Sequence, residues 1–324
     1  MCGCECHTTI DHVISHPSDI LKSDKSPYTV FTPYSREWKK HFMERVATFS
    51  LENQRLLIPH DLVKAQGSSR FPSLKDLGFV PSQVTFPSSL PTIDIIKNYD
   101  KTRDFPSQNG TSKLGVHLRF GTISIRSLAE IAWNTNTTFL NELIWREFYI
   151  MILYHFPFVQ DSSFKTDYRG ISWLNQADDI EKWKSGKTGY PLVDAGMREL
   201  VNTGYMHNRV RMVTASFLTK HLLVDWRIGE AFFAKHLLDF ELASNNGGWQ
   251  WCAGTGTDAA PYFRIFNPTI QAKTFDPESK YIRKWVPEID TFEYPKPIVE
   301  HTFARQRCLD VYKIGIQPKI KING

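Results

Sequence analysis

Residues 245–268 read NNGGWQWCAGTGTDAAPYFRIFNP. The segment joins four glycines, two tryptophans and a Tyr-Phe-Arg run, and its pattern matches neither a plain helix nor a plain strand. Gly247, Gly248, Gly254 and Gly256 would each cost about 1 kcal/mol in a helix interior. The reading is therefore irregular backbone lying close to a bulky ligand, where glycine permits an approach that a Cβ forbids. Trp249 and Trp251 are two residues apart, so they point in nearly opposite directions in either regular structure. One indole then faces one partner and the second another, unless both simply fill a core.

Outward from this segment the pattern is helical. Residues 128–133, 141–154, 192–204, 207–223 and 229–239 repeat their apolar positions every three to four residues, and alternating strand patterns are scarce from about residue 81 onward. This predicts a mainly α chain. Before residue 81 only 35–46 (SREWKKHFMERV) is amphipathic, and the run that follows, with Pro59, Gly67, Pro72, Pro81 and Pro87, reads as a long connector.

Length, charge and cysteine usage set limits on the class. A chain of 324 residues buries a sizeable core and suggests about two domains. Charged residues at 23% and hydrophobic residues at 41% exclude a disordered chain. Apolar runs such as 217–224 are broken by Lys220 and His221, far short of a membrane span. The start, MCGCECHTTIDHV, lacks the basic and apolar parts of a signal peptide, so the expected location is the cytoplasm. A net charge of +5 is compatible with a polyanionic partner. Five cysteines fit a reducing compartment, and Cys2, Cys4, Cys6 and His7 do not follow a zinc spacing, so no metal is expected. Dinucleotide, Walker, HExxH and GxSxG motifs are missing from the sequence.

Three constellations carry chemistry. In NELIWREFY, helical spacing puts Glu142, Trp145 and Arg146 on one face with Tyr149 beyond them. The bland alternative is an exposed Glu142–Arg146 pair, against which Trp145 stands as an indole poorly suited to a solvated face. In MHNRVRM, Asn208, Arg211 and Met212 share a face while Arg209 points away, and Asn208 offers both a donor and an acceptor to a base-like edge. Arg209 and Arg211, this near apolar neighbours, need anionic partners, for which Asp239 and Glu241 are the nearest candidates, with a plain buried ion pair as the alternative. TSKLG, at 111–115, sets hydroxyls and backbone amides at a helix start, a phosphate cradle or merely a local cap.

TSKLG, LRFGTISIR, ELIWREFY, TGYMHNRVRM, DWR and the segment quoted first agree in order and spacing with the photolyase and cryptochrome family. The chain closely resembles that family from about residue 25 to about residue 312, and it looks most like the class I cyclobutane pyrimidine dimer photolyases. The resemblance implies a folded FAD, active when reduced, in an all-helical domain. It assigns Tyr99, Thr111, Ser112, Lys113 and Leu114 to the phosphates, Arg146, Arg211, Asp239 and Glu241 to the cofactor, and Asn245 to the flavin N5. It implies a lesion pocket of Glu142, Trp145, Asn208, Met212 and Trp251. Arg103, Arg209 and Arg264 fall to the DNA backbone, and Trp249, Trp226 and Trp173 to an electron relay. The implied activity is light-driven splitting of dimers in damaged DNA, by one electron lent from the flavin and returned.

The chain departs from the family at Gly115, where many members carry Ser, at Glu241, where many carry Asp, and above all at its start. The family's α/β antenna domain is nearly missing: residues 10–48 look like its remnant and 49–80 like the interdomain connector. The implied division is residues 1–80, remnant and connector, and residues 81–324, the helical FAD-binding catalytic domain. An antenna chromophore is not expected, apolar surface is expected on the connector, and the chain is expected to be a monomer with no membrane partner. Two other readings stand beside repair: a cryptochrome-like FAD photoreceptor, and an inactive truncated fragment.

Overall fold

The computed structural model describes residues 10–52, 72–82 and 84–316. Cys2, Cys4, Cys6, His7 and residues 53–71 of the connector lie outside the described residues. Among those described, the one strand-like pairing is an isolated antiparallel bridge between Leu21 and Pro27, as a mainly α chain requires. After α1 (Phe31–Glu52) come short α2 (Ile93–Lys97), α3 (Tyr99–Thr102) and α4 (Gly115–Phe120), then α5 (Ile125–Thr135) and α6 (Thr137–His155). They are followed by α7 (Ala177–Lys184), α8 (Pro191–Thr203), α9 (Asn208–Ser216), α10 (Trp226–His236) and α11 (Leu242–Ala253). The last helices among the described residues are α12 (Pro268–Phe275), α13 (Lys280–Trp285) and α14 (His301–Gly315). Within the described residues no helix is long and apolar enough to cross a membrane.

The expectation for residues 245–268 is corrected in its first third, because 245–253 belong to α11. Glu241 starts this helix by accepting from the backbone N–H groups of Ala243 (2.8 Å) and Ser244 (2.9 Å). The two glycines inside it serve close approach rather than a bend. A Cβ on Gly247 would lie 2.2 Å from the Tyr149 ring on α6, whereas a Cβ on Gly248 would meet nothing within 4 Å. Gly254, at φ +85°, ends the helix in the left-handed region, and the irregular backbone begins there. The opposite face of α11 is tied down by Gln250, which donates to the carbonyl of Val159 (2.9 Å) and accepts from the N–H of Phe164 (2.9 Å).

Two buried clusters flank the space between α6 and α11. One joins α8, α9, α10 and α11 around Trp183, Val210, Phe233 and Trp249. The other joins α1, α5 and α6 around Trp38, Ala132, Ile144 and Phe148. Residues before α1 share this second core: buried Glu147 accepts from the N–H of Ile14 (2.5 Å) and from Trp38 Nε1 (2.7 Å), while burial pushes its carboxyl pKa up. Within residues 72–80, which the sequence reading gives to the connector, Leu74, Leu77, Phe79 and Val80 are exposed.

The predicted helix over 207–223 forms as α9 followed by a π-helical turn, Phe217–His221, that carries two fully buried ionisable groups. Lys220 donates to the carbonyl of Arg264 (2.9 Å), and burial pulls its pKa down to about 8. Burial, helped by His301, lowers the pKa of His221 to about 3. Burial and then Arg211 lower that of His207, at the start of α9, to about 4. Both histidines fold neutral, so the unfolded chain takes up protons that the folded chain refuses below pH 6.5. Stability is whole above that value and falls as pH drops toward 4, by about 1.4 kcal/mol per pH unit for each histidine. Buried carboxyls such as Glu147, raised by desolvation, act in the opposite sense, so the histidine share is read by comparison: from pH 7 to 4.5 the urea midpoint of the parent should fall more steeply than that of His221→Phe, and parallel profiles would contradict this account.

Candidate cofactor and substrate site

A cavity of about 430 Å³ opens between α6, α9, α11 and the turn that joins α10 to α11. Its size is that of a small-molecule site. Helix α6 brings Glu142, Trp145, Arg146 and Tyr149 to its wall, α9 brings Asn208, Arg211 and Met212, and α11 brings Asn245, Gly248, Trp249 and Trp251. Asp239 and Glu241 line it from the joining turn. Three sequence-distant helices thus converge the side chains that helical spacing had grouped.

One wall is ionic. Arg211 Nη2 donates to Asp239 Oδ2 (2.9 Å) and Oδ1 (3.2 Å), and Arg211 Nε donates to the Met206 carbonyl (2.7 Å). Burial opposes the arginine charge, yet Asp239, Tyr205 and Glu199 together raise its pKa. Of the two acids weighed as partners, Asp239 makes the pair, and Glu241 is committed to the helix start instead. A Cβ on Gly115 would lie 3.0 Å from Asp239 Oδ2, so the glycine that replaces serine here lets α4 close on that carboxylate.

Asn245 is oriented by its neighbours. Its Nδ2 donates to the carbonyl (3.1 Å) and to Oε1 (2.7 Å) of Glu230, both acceptors, which leaves Oδ1 as the free polar atom of the amide. Glu230 carries no sequence signal, because it sits on α10 and meets Asn245 only through the packing of α10 on α11. Beside it Trp249 is 2% exposed and meets Phe233 edge-on, centroids 4.9 Å apart. Trp251 is half-buried against the cavity. Both indoles border the same cavity and pack with the same buried cluster, Trp249 inside it and Trp251 at its edge. Trp226 is buried in the same cluster as Trp249, and half-buried Trp173 packs against it, with its ring edge-on to Tyr312 at 6.0 Å.

The ion pair weighed between Glu142 and Arg146 does not form. Glu142 pairs closely with Arg103, and burial still raises the Glu142 pKa against that charge. Arg146 donates from Nη1 to the His12 carbonyl (2.9 Å), and its Nη2 lies 2.7 Å from His12 Nε2. Arg209 does point away from the cavity, where it pairs with Asp104 (2.6 Å) and lies over Phe275. Arg264 is exposed beyond α11.

TSKLG lies at the rim. Leu114 is buried and α4 begins at Gly115. Thr111 and Lys113 line a side cavity of about 210 Å³, with the Thr111 hydroxyl 3.1 Å from the Tyr205 hydroxyl. Lys113 also lines a third cavity, about 270 Å³, which reaches Asp239 and so adjoins the main one. Tyr99 is edge-on to Phe139 (5.1 Å), and Tyr99, Ser112 and Leu114 do not line the main cavity.

The residues present suit a flavin. Gly248 leaves the α11 face bare, Asn245 offers an acceptor, Arg211 offers charge, and flat side chains border the remaining space. Residues 139–293 match the family described as FAD binding domain of DNA photolyase, and residues 1–52 match the family described as DNA photolyase. The chain is 39% identical to the deoxyribodipyrimidine photo-lyase of Escherichia coli K12, over 97% of this chain and 74% of that one. It is 38% identical to the deoxyribodipyrimidine photo-lyase of Alkalihalophilus pseudofirmus, over 95% of this chain and 72% of that one. A bacterial class III photolyase from Agrobacterium tumefaciens superposes with a TM-score of 0.78 at 32% identity, covering 95% of this chain and 73% of that chain. With α6, α9 and α11 built around a flavin-sized space and relatives matched over 95–97% of its length, this chain belongs to the DNA photolyase family.

Proposed function

We propose that this protein repairs cyclobutane pyrimidine dimers in DNA by light-driven electron transfer from reduced FAD. The observation that carries this reading is the shared cavity, whose wall holds Asn245 and the Arg211–Asp239 pair together with two indoles, an amide and a thioether. Bound FAD would supply the electron that opens the cyclobutane ring and would recover it afterwards. The chain's own residues bind and orient. Arg211, Asp239, Arg146, Glu241 and Asn245 hold the flavin, with Tyr99, Thr111, Ser112, Lys113 and Leu114 as the phosphate stretch. Asn245 contributes through its Oδ1, the atom that Glu230 leaves free.

The lesion side is Trp145 and Trp251 stacking on the flipped bases, Met212 packing beside them, and Asn208 and Glu142 reading polar edges. Asn208 is exposed, as a group that meets an incoming substrate should be. Arg103, Arg209 and Arg264 take the phosphates, which supply sequence-independent affinity. The electron relay runs over Trp249, Trp226 and Trp173, and their membership of one packed cluster supports it. The working site falls within residues 81–324, which we assign as the catalytic domain.

A repair assay under light and dark on a dimer-containing oligonucleotide tests the reading. Light-dependent loss of dimers is expected from the flavin-loaded protein. Trp251→Ala and Asn208→Ala should weaken dimer affinity, the tryptophan change by about 1–3 kcal/mol, the value of one base-stacking platform. Equal dimer loss in the dark refutes the mechanism, and flavin binding without any repair moves the protein to the photoreceptor class.

A further inference from the structure

Residues 29–31, at the start of α1, take no part in the reading above, yet they reach the cavity wall. The ring of Phe31 lies on the Trp145 indole with centroids 3.8 Å apart and planes 3° from parallel. Aromatic pairs prefer offset or edge-on arrangements, so a near-parallel overlap depends on a frame that holds both rings. Phe148 supplies part of that frame, meeting Phe31 and Trp145 edge-on at 5.9 and 5.5 Å. The rest comes from the loop after α11. Asp258 Oδ2 accepts the backbone N–H of Phe31 (3.0 Å), and the Thr257 hydroxyl donates to the Thr29 carbonyl (2.6 Å). Asp258 holds a left-handed φ of +44°, a conformation that aspartate tolerates better than most residues.

The two indoles of the cavity are thereby tied to one short piece of chain. Trp251 stands three residues before Gly254, and four residues beyond that glycine Asp258 fixes Phe31, which lies on Trp145. We infer that Phe31 is a positioning residue for dimer repair: it covers one face of Trp145, and with Asp258 it sets the spacing between Trp145 and Trp251 into which a flat pyrimidine pair fits. Phe31 is half-buried at the edge of its cluster, while Tyr34, Trp38 and Phe42 of the same helix form the buried contact. Its packing contribution to the core is correspondingly small, and its contact with the cavity wall is large. This inference rests on the assignment of Trp145 to the lesion.

The test uses the full chain loaded with FAD and compares Phe31→Ala, Phe31→Leu and Phe31→Tyr. Flavin absorbance, KM for a thymine-dimer oligonucleotide and turnover under saturating light are read for each. Phe31→Ala and Phe31→Leu should raise KM by about tenfold, the scale of one stacking contact, with flavin content and turnover within about twofold. Phe31→Tyr, which restores a flat ring, should return KM to the parent value, and Asp258→Ala should move it in the same direction as Phe31→Ala. If Phe31→Ala fails to retain flavin, the leucine and tyrosine variants decide, since both fill the volume and only one stacks. A parent-like KM for Phe31→Leu overturns the inference while leaving repair intact. A parent protein that holds flavin and repairs nothing overturns the functional reading, and this inference with it.

Discussion

Asp239→Ala is expected to yield a folded but colourless protein. The substitution removes both acceptors of Arg211 Nη2 at 2.9 and 3.2 Å and leaves a guanidinium with one hydrogen bond, to the Met206 carbonyl, and the Tyr205 ring beneath it. Stranding one member of a buried pair costs about 3–5 kcal/mol. The side chains here are 26% and 18% exposed, which places the loss at the lower end of that range. The same carboxylate borders both the main cavity and the third cavity, which Lys113 also lines, so flavin affinity falls together with stability. Flavin absorbance after gel filtration, with circular dichroism to confirm helix content, measures both. Asp239→Asn keeps an acceptor and loses the charge, and should lie between the parent and the alanine variant. Full flavin occupancy in Asp239→Ala would sink the assignment of this pair to the cofactor.

Gly229→Ala is expected to be strongly damaging for a single added methyl. A Cβ at this position on α10 would sit 2.1 Å from the far edge of the Trp249 ring and 2.7 Å from Leu218 Cδ2. Neither neighbour has room to withdraw: Trp249 is pinned by Phe233 and Trp183, and Leu218 is fully buried. Overpacking of this kind typically costs about 1–3 kcal/mol, and here the displaced group is a proposed relay. The thermal midpoint should fall, and light-driven reduction of oxidised flavin should slow, because α10 also carries Trp226 one turn away. A variant with unchanged midpoint and unchanged photoreduction would show that the two helices slide apart at little cost.

The helices were legible because their apolar spacing is local. The face shared by Glu142, Trp145 and Arg146 and the face shared by Asn208, Arg211 and Met212 followed from 3.6-residue periodicity, and the same faces line the cavity. The first third of residues 245–268 was misread for the opposite reason. Gly247 and Gly248 argue against a helix by propensity, and tertiary demands override that preference: one glycine makes room for Tyr149 and the other leaves space open to the cavity. The partners that orient the site were not legible at all. Glu230 to Asn245, Arg103 to Glu142, His12 to Arg146 and Phe31 to Trp145 join residues 15 to 134 positions apart, and nothing in one sequence announces such pairs. The resemblance supplied residue roles in their place, but it carried no information about what each side chain touches.

The Arg103–Glu142 pair has a consequence for discrimination. Each side chain is the other's present occupant, so a guest that engages one of them must compete with the partner already there, and its observed affinity is the difference between two contacts rather than the sum. A ligand offering only a phosphate frees Arg103 at the cost of leaving a half-buried carboxylate alone. A ligand offering a phosphate and a hydrogen-bond donor together compensates both side chains in one exchange. Under the proposed repair function the resting ion pair would act as a two-key lock, turning weakly for plain backbone and fully for a strand that also presents an extruded base.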